Sequence, residues 1–359
     1  MSEKQFIGPL HEMACTTSTD LWNDSCSIEE LTFSVAHGAV GATTNPSIVV
    51  YVLQKEMHLW EARIREIAEE NPSFTEDEVA LQLNKEMAVK GAEILRPVYD
   101  RERGKKGRIS IQTVAKYYRD SRRLTEQACE FAALAPNIQV KLPVTQAGIP
   151  AIEEATYRGV SVNATVSFTV PQAIAVAEAV ERGLKRREAE GLDISTMSPV
   201  CTIMCGRLDD WLKVVADKED IIVDPACLEW AGVAAMKRAY QIYQERGYRL
   251  RLLSAAYRNH MHWSEFIGGD VIVSIPFKWQ RRYNASDVAC IPRIDRPVPE
   301  SYLSELQRKF VDFRRAYEED GMSVAEFDTF GASLRTLRQF IEAYEQLLGI
   351  VRDFVTPKP

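Results

Sequence analysis

The sequence predicts an α/β protein built as a closed (β/α)8 barrel, a TIM barrel, and three observations carry that prediction. Eight strand-like apolar runs, at 19–24, 39–44, 108–114, 137–142, 160–166, 200–205, 249–255 and 270–275, alternate with amphipathic segments. Such alternation implies parallel strands with helices packed outside. No Gly-x-Gly-x-x-Gly turn follows an early strand, which argues against an open dinucleotide-binding sheet. Polar and charged side chains gather just where each run ends, as they do at the carboxyl face of a barrel.

Each element has its own signal. The first strand ends in Trp22-Asn23-Asp24-Ser25 and the second in Gly41-Ala42-Thr43-Thr44-Asn45-Pro46-Ser47. Residues 47–107 are too long for one barrel helix and read as a helical insertion. A break at Asn71-Pro72-Ser73-Phe74-Thr75 divides it, Thr75 and Glu78 have the spacing of a capping box for the second helix, and a charged turn at 101–107 leads to the third strand, which carries Gln112. In the fourth run Ile138, Val140 and Leu142 alternate with Gln139 and Lys141, so Lys141 lies at the carboxyl end on the face away from the apolar stripe. Helices are expected over 114–134, 148–157, 171–187, 229–246 and 262–266. Residues 291–359 form an extension with a Pro-rich start and helices over 300–319 and 323–354, charged on one side and expected to pack across the barrel. The whole chain, 1–359, is read as one domain.

Composition excludes several function classes. Of the 359 residues, 46% are hydrophobic, enough for one large core. Net charge is -7 and the 44 basic residues are dispersed, so a nucleic-acid partner, which needs a basic stripe, is not expected. No eighteen-residue apolar run or secretion signal occurs, so no membrane partner is expected and the expected location is cytoplasmic. Seven cysteines without a Cys-x-x-Cys pair read as reduced thiols, with Cys201 and Cys205 as packing residues. The His260-x-His262 pair lacks a recognisable third ligand, so no metal site is expected.

A buried ammonium is costly unless it is paired or gives up its proton, so Lys141 is either a strand-end lysine reaching solvent or an amine with a chemical role. An amine of lowered pKa condenses with a ketone to form a Schiff base. Around it the strand ends supply one carboxylate, Asp24; amides and hydroxyls at Thr43, Asn45, Gln112, Asn163 and Thr165; and the guanidiniums of Arg207 and Arg258. That inventory suits an anionic polyhydroxy ketone: amine for the carbonyl, carboxylate for a hydroxyl proton, amides for the other hydroxyls, arginines for the anion. Individually, Asp24 or Thr75 could cap a helix, Asn45-Pro46 could make a turn, and Arg207 could pair with Asp209 or Asp210.

Gly41 to Ser47, Ile138-Gln139-Val140-Lys141-Leu142-Pro143 and Gly159-Val160-Ser161-Val162-Asn163-Ala164-Thr165 resemble the signature segments of the transaldolase family, which includes fructose-6-phosphate aldolases. The resemblance runs in register from about Asp20 to Ile275. It implies a (β/α)8 barrel with Lys141 as the Schiff-base lysine on the fourth strand and Asp24 as the acid/base, with Asp20 the alternative. It further implies that Thr43, Asn45, Asn163 and Thr165 orient substrate hydroxyls or water, and that Arg207 and Arg258 bind the anion. Gln112 counts with the catalytic residues and Thr202 with the substrate-binding ones. The implied reaction transfers a three-carbon dihydroxyacetone unit from a ketose such as a ketose 6-phosphate to an aldose. It needs neither metal nor cofactor, since the imine nitrogen is the electron sink. A homo-oligomer is compatible with the sequence.

Three positions depart from the transaldolase pattern. Gln112 stands where most transaldolases have glutamate and resembles the direct aldolase branch; a glutamine positions water but moves no proton. Met204 replaces an aromatic residue, and Ala256 replaces a phosphate-binding serine. Direct cleavage of fructose 6-phosphate, or of a sulfonated or carboxylated analogue, is therefore the alternative to transfer, and a non-catalytic sugar-anion-binding barrel is a third possibility.

Overall fold

The computed structural model describes residues 5–356 and contains the closed barrel. Its strands are β1 (Asp20–Asn23), β2 (Ala39–Thr43), β3 (Arg108–Gln112), β4 (Ile138–Pro143), β5 (Val162–Thr165), β6 (Val200–Ile203), β7 (Arg251–Ser254) and β8 (Ile272–Ile275). Each pairs in parallel with the next, and β8 returns to β1. All eight lie within the runs expected from sequence except at Pro143, one residue beyond.

The two faces of each strand go to different places. Ile138, Val140 and Leu142 of β4 join Ile109, Ile111, Val162 and Ile203 in the core between barrel and helices. Inside the barrel, Trp22 packs with Val200, Leu253 and Ile272. Gly41 faces this indole so closely that a Cβ there would lie 2.3 Å from the ring, which is why the second strand carries glycine at this point. Beside this apolar plug Gln139, Ser110, Asn163 and Thr202 form a hydrogen-bonded chain across the interior, with links of 2.8, 3.0 and 2.7 Å. Asp20 opens β1 at the amino-terminal end, held by Lys106 at 2.7 Å and Arg251 at 2.6 Å. Asp20, the alternative acid/base, thus lies in ion pairs at the end of the barrel opposite the one where strand ends gather functional groups.

The insertion consists of helices Pro46–Glu70 and Glu76–Arg101, and both arms of the Thr75/Glu78 capping box are present. Three helical expectations need correction. Residues 114–134 contain a short 3-10 turn, Ala115–Tyr117, then a helix Ser121–Ala132 capped by Asp120. Residues 300–319 divide into Glu300–Lys309 and Val311–Tyr317, because Phe310 takes an extended conformation that lets its ring be buried. The last helix begins only at Gly331 and runs to Val355. Amphipathic periodicity continues through such breaks, so it does not report them.

The Gly331–Val355 helix lies against both insertion helices, with Tyr344 Oη donating to Asp77 at 2.9 Å and Arg352 paired with Glu76 at 2.6 Å. Phe310, Phe313, Phe327, Phe330 and Phe340 are fully buried in the same core as the barrel's outer face. The extension therefore closes over the barrel as expected, and its Phe340 reaches the cleft described next. Among the described residues, no helix is long and apolar enough to cross a membrane.

Candidate active site

At the carboxyl end of the strands lies a cleft of about 300 Å³, lined by Asp24, Asn45, Lys141, Thr165, Thr202, Arg207 and Arg258 among others. Seven of the ten residues singled out from the sequence thus meet there, although they come from β4, β5 and β6 and from the segments following β1, β2, β6 and β7.

Lys141 is 5% exposed and does not reach bulk solvent, which removes the strand-end alternative. Register places it between Gln112 on β3 and Asn163 on β5. Its Nζ donates to the Thr44 carbonyl at 3.0 Å. Burial lowers its pKa to about 8, opposed by the charge of Asp24. Asp24, half-buried, opens onto the cleft, and burial raises its pKa, against the lowering influence of Lys141, a hydrogen bond from Thr43 and Arg207. The two groups are therefore displaced toward each other, amine down and carboxyl up, as expected of an acid/base pair at a functional site.

Three candidates stand behind the cleft wall. Thr43 Oγ1 donates to Asp24 Oδ1 at 2.6 Å and contacts Ser274 Oγ at 2.5 Å, so it fixes the carboxylate. Asn163 is fully buried and takes part in the interior chain, receiving the Thr202 hydroxyl at 2.7 Å; Thr202 is the member of that pair that faces the cleft. Gln112 borders a small separate cavity, with Asn84, Thr113 and Tyr344, and its buried Oε1 has no protein partner among the described residues. Asn45 lines both spaces. It also caps the Pro46–Glu70 helix, its Oδ1 accepting from the Ile48 N–H at 3.1 Å, so the helix-capping role is real and only its amide nitrogen is left for a ligand.

The two arginines differ. Arg258 Nε and Nη2 engage the Asp210 carboxylate at 2.7–3.2 Å, and Nη1 donates to the Tyr257 carbonyl at 2.9 Å. Arg207, which the sequence left free to pair with Asp209 or Asp210, instead donates to the neutral Thr336 hydroxyl at 3.3 Å and to the Gln339 amide oxygen, and its guanidinium lies over Phe340. Burial and the neighbouring Arg258 lower its pKa to about 10, so at neutral pH it is a largely uncompensated cation at the cleft wall.

Sequence reasoning missed Tyr257, Lys278, Trp279 and Phe340, which also line the cleft. Lys278 and Trp279 follow β8, beyond the last strand-end residue that the sequence singles out. Phe340 arrives from some 80 residues beyond β7, and no local pattern indicates that. Past Asp24 the cleft continues into a second lobe lined by Ser25, Ser47, Tyr51 and Phe277, with Lys278 at the junction.

Comparison with known proteins gives the family. The sequence profile described as Transaldolase/Fructose-6-phosphate aldolase matches residues 21–349. Transaldolase 1 of Streptomyces avermitilis is 31% identical over 233 residues, covering 63% of this chain and 61% of that protein. The transaldolase of Mycobacterium ulcerans is 30% identical over 212 residues, 57% of this chain and 55% of its own length. That of Thermobifida fusca is 31% identical over 213 residues, 57% and 56% respectively. The match thus spans somewhat over half the length of these curated relatives. A profile match across nearly the whole chain, joined to the closed eight-stranded barrel, places the chain in the transaldolase/fructose-6-phosphate aldolase family.

Proposed function

We propose that this protein is a Schiff-base transferase that moves a three-carbon dihydroxyacetone unit from an anionic ketose, such as a ketose 6-phosphate, to an aldose acceptor. The observation that carries it is the buried Lys141, its pKa lowered to about 8, sharing one cleft with Asp24. The Lys141 amine adds to the C2 carbonyl, and loss of water from the carbinolamine gives an iminium. Asp24 takes the proton of the C4 hydroxyl as the C3–C4 bond breaks. The bonding electrons flow into the iminium, leaving an enamine on Lys141 and releasing an aldehyde. An acceptor aldehyde reverses the sequence: the enamine carbon attacks its carbonyl, Asp24 returns the proton, and hydrolysis frees the lysine.

Transfer is favoured over direct cleavage by what surrounds the enamine. Met204 lines the cleft with a thioether that donates no hydrogen bond, and Gln112 lies on the separate cavity. Neither delivers a proton to carbon, so the enamine survives until an acceptor arrives. The test supplies a ketose phosphate with and without an aldose acceptor and follows the released aldehyde. One turnover without acceptor and many with it are expected; equal multiple-turnover rates would make the enzyme an aldolase.

The ligand's anionic end is assigned to Arg207 above Arg258, since Asp210 already neutralises Arg258. Arg207→Ala should raise KM for the ketose phosphate roughly ten- to hundredfold, the size of a lost charge-assisted contact of about 1.5 to 3 kcal/mol. Arg258→Ala should raise it less, because the exposed pair with Asp210 screens that charge. Neither change should alter KM for the uncharged ketose, and equal effects on both ketoses would remove the arginines from the site.

A further inference from the structure

We propose that the buried Asp209–His262 pair is a clamp that positions Arg258, through the backbone, at the anionic end of the cleft. The inference rests on the proposed function for the role of Arg258 and adds the device that sets where that guanidinium stands.

The geometry is closed on every side. His262 and Asp209 are both fully buried. His262 Nδ1 lies 3.1 Å from the backbone nitrogen of Arg258, and because that N–H donates, Nδ1 is the acceptor and the ring proton sits on Nε2. Nε2–H in turn donates to Asp209 Oδ2 at 2.8 Å, while Asp209 Oδ1 accepts from the Gly232 N–H at 2.8 Å. The Ser254 hydroxyl, at the end of β7, donates to the His262 carbonyl at 3.0 Å. The neighbouring His260 ring contacts the Ser264 hydroxyl at 3.1 Å, so the two histidines of the His-x-His pair have separate partners.

What the clamp holds is a strained turn. Ala256 has φ +64°, a left-handed conformation uncommon for a residue with a Cβ. Such conformations cost free energy and persist where the surroundings over-determine them. On one side the turn presses against Gly206, where a Cβ would lie 2.0 Å from the Ala256 carbonyl oxygen. On the other the His262 ring holds the Arg258 N–H. The carboxylate fixes the tautomer, the tautomer fixes the acceptor, and the acceptor fixes the chain that carries Arg258 to the cleft. Burying a carboxylate and an imidazole merely to fill space would be costly beside an apolar pair of the same volume.

Two variants and one spectrum test this. In the wild-type protein, ¹⁵N NMR of His262 should show the Nε2–H tautomer. Asp209→Asn presents an amide whose oxygen keeps the Gly232 N–H and whose NH₂ faces Nε2. The ring proton then moves to Nδ1, where it opposes the Arg258 N–H. Asp209→Asn and His262→Leu should each raise KM for the ketose phosphate severalfold, by no more than Arg258→Ala, with kcat and KM for the uncharged ketose little changed. His262→Gln, which keeps an acceptor and a donor, should restore most of the loss. In an Arg258→Ala background neither change should raise KM further, since the residue being positioned is gone. An Nδ1–H tautomer in the wild type, equal losses on both ketoses, or undiminished effects in the Arg258→Ala background would overturn the clamp. Should His262→Leu not fold, Asp209→Asn and the wild-type spectrum decide. Borohydride trapping of the ketose on Lys141 separates the two levels: no adduct removes the proposed function, whereas an adduct without the selective KM effect removes only the clamp.

Discussion

Lys141→Arg should leave no adduct when the protein is treated with a ketose phosphate and borohydride, and turnover should fall to background while circular dichroism is unchanged. Guanidinium keeps the charge of the ammonium but stays protonated at neutral pH and does not condense with a ketone. Lys141→Met, which removes the charge as well, should give the same result if the larger guanidinium strains the barrel. The lowered pKa sets how much reactive amine the wild-type lysine offers. With the amine at about 8 instead of 10.5, the fraction unprotonated at pH 7 is roughly three-hundredfold larger than for an ordinary lysine. Burial supplies that gain, and among the described residues the other lysine lining the cleft, Lys278, is exposed. The rate of imine formation should rise with pH through about 8 and then level off. Turnover retained in both variants, or a borohydride adduct mapped to another lysine, would end the mechanism proposed for this protein.

Much of this was legible because a barrel converts order along the chain into position. Once the eight runs are counted, the end of each strand must face one mouth, and Lys141, Asp24, Thr165 and Arg207 are brought together without any knowledge of distances. Period-two alternation in β4 even gives the side to which Lys141 points. Depth is another matter. Thr43 closes β2, Asn163 is second on β5 and Thr202 is next to last on β6, yet only Thr202 faces the cleft, and such differences of layer are set by stagger between strands that a sequence does not display. Gln112 illustrates the same limit, being level with Lys141 in register while bordering a different cavity. The partners of the arginines were illegible for a second reason. Arg207 is met by Thr336 and Gln339 from a helix more than a hundred residues later, which leaves Asp210 to Arg258 and Asp209 to His262. Proximity in sequence suggested the wrong pairs, and packing of the carboxyl-terminal extension decided the right ones.

Asp24→Asn should separate the two halves of the reaction. The amide oxygen can still accept the Thr43 hydroxyl that now reaches Asp24 Oδ1 at 2.6 Å, so the side chain keeps its place but accepts no proton. Borohydride should therefore still trap the ketose on Lys141, while carbon–carbon cleavage slows by about 10² to 10⁴, the usual cost of losing a positioned general base. A second effect has the opposite sense for the lysine. The charge of Asp24 holds the Lys141 pKa up against burial, so removing it lets that pKa fall below about 8. The midpoint of the pH profile for imine formation should then move to lower pH, even as overall turnover collapses. In the unmodified protein the acid limb of the cleavage step, measured on the preformed adduct, is expected to follow Asp24: the base must be ionised, and burial, the largest influence on it, places its titration above the ordinary carboxylate range. That limb should disappear in Asp24→Asn. A profile for imine formation that stays put or moves to higher pH would mean that the two groups do not share a field, and adduct formation lost together with cleavage would mean that Asp24 serves the lysine and not the hydroxyl.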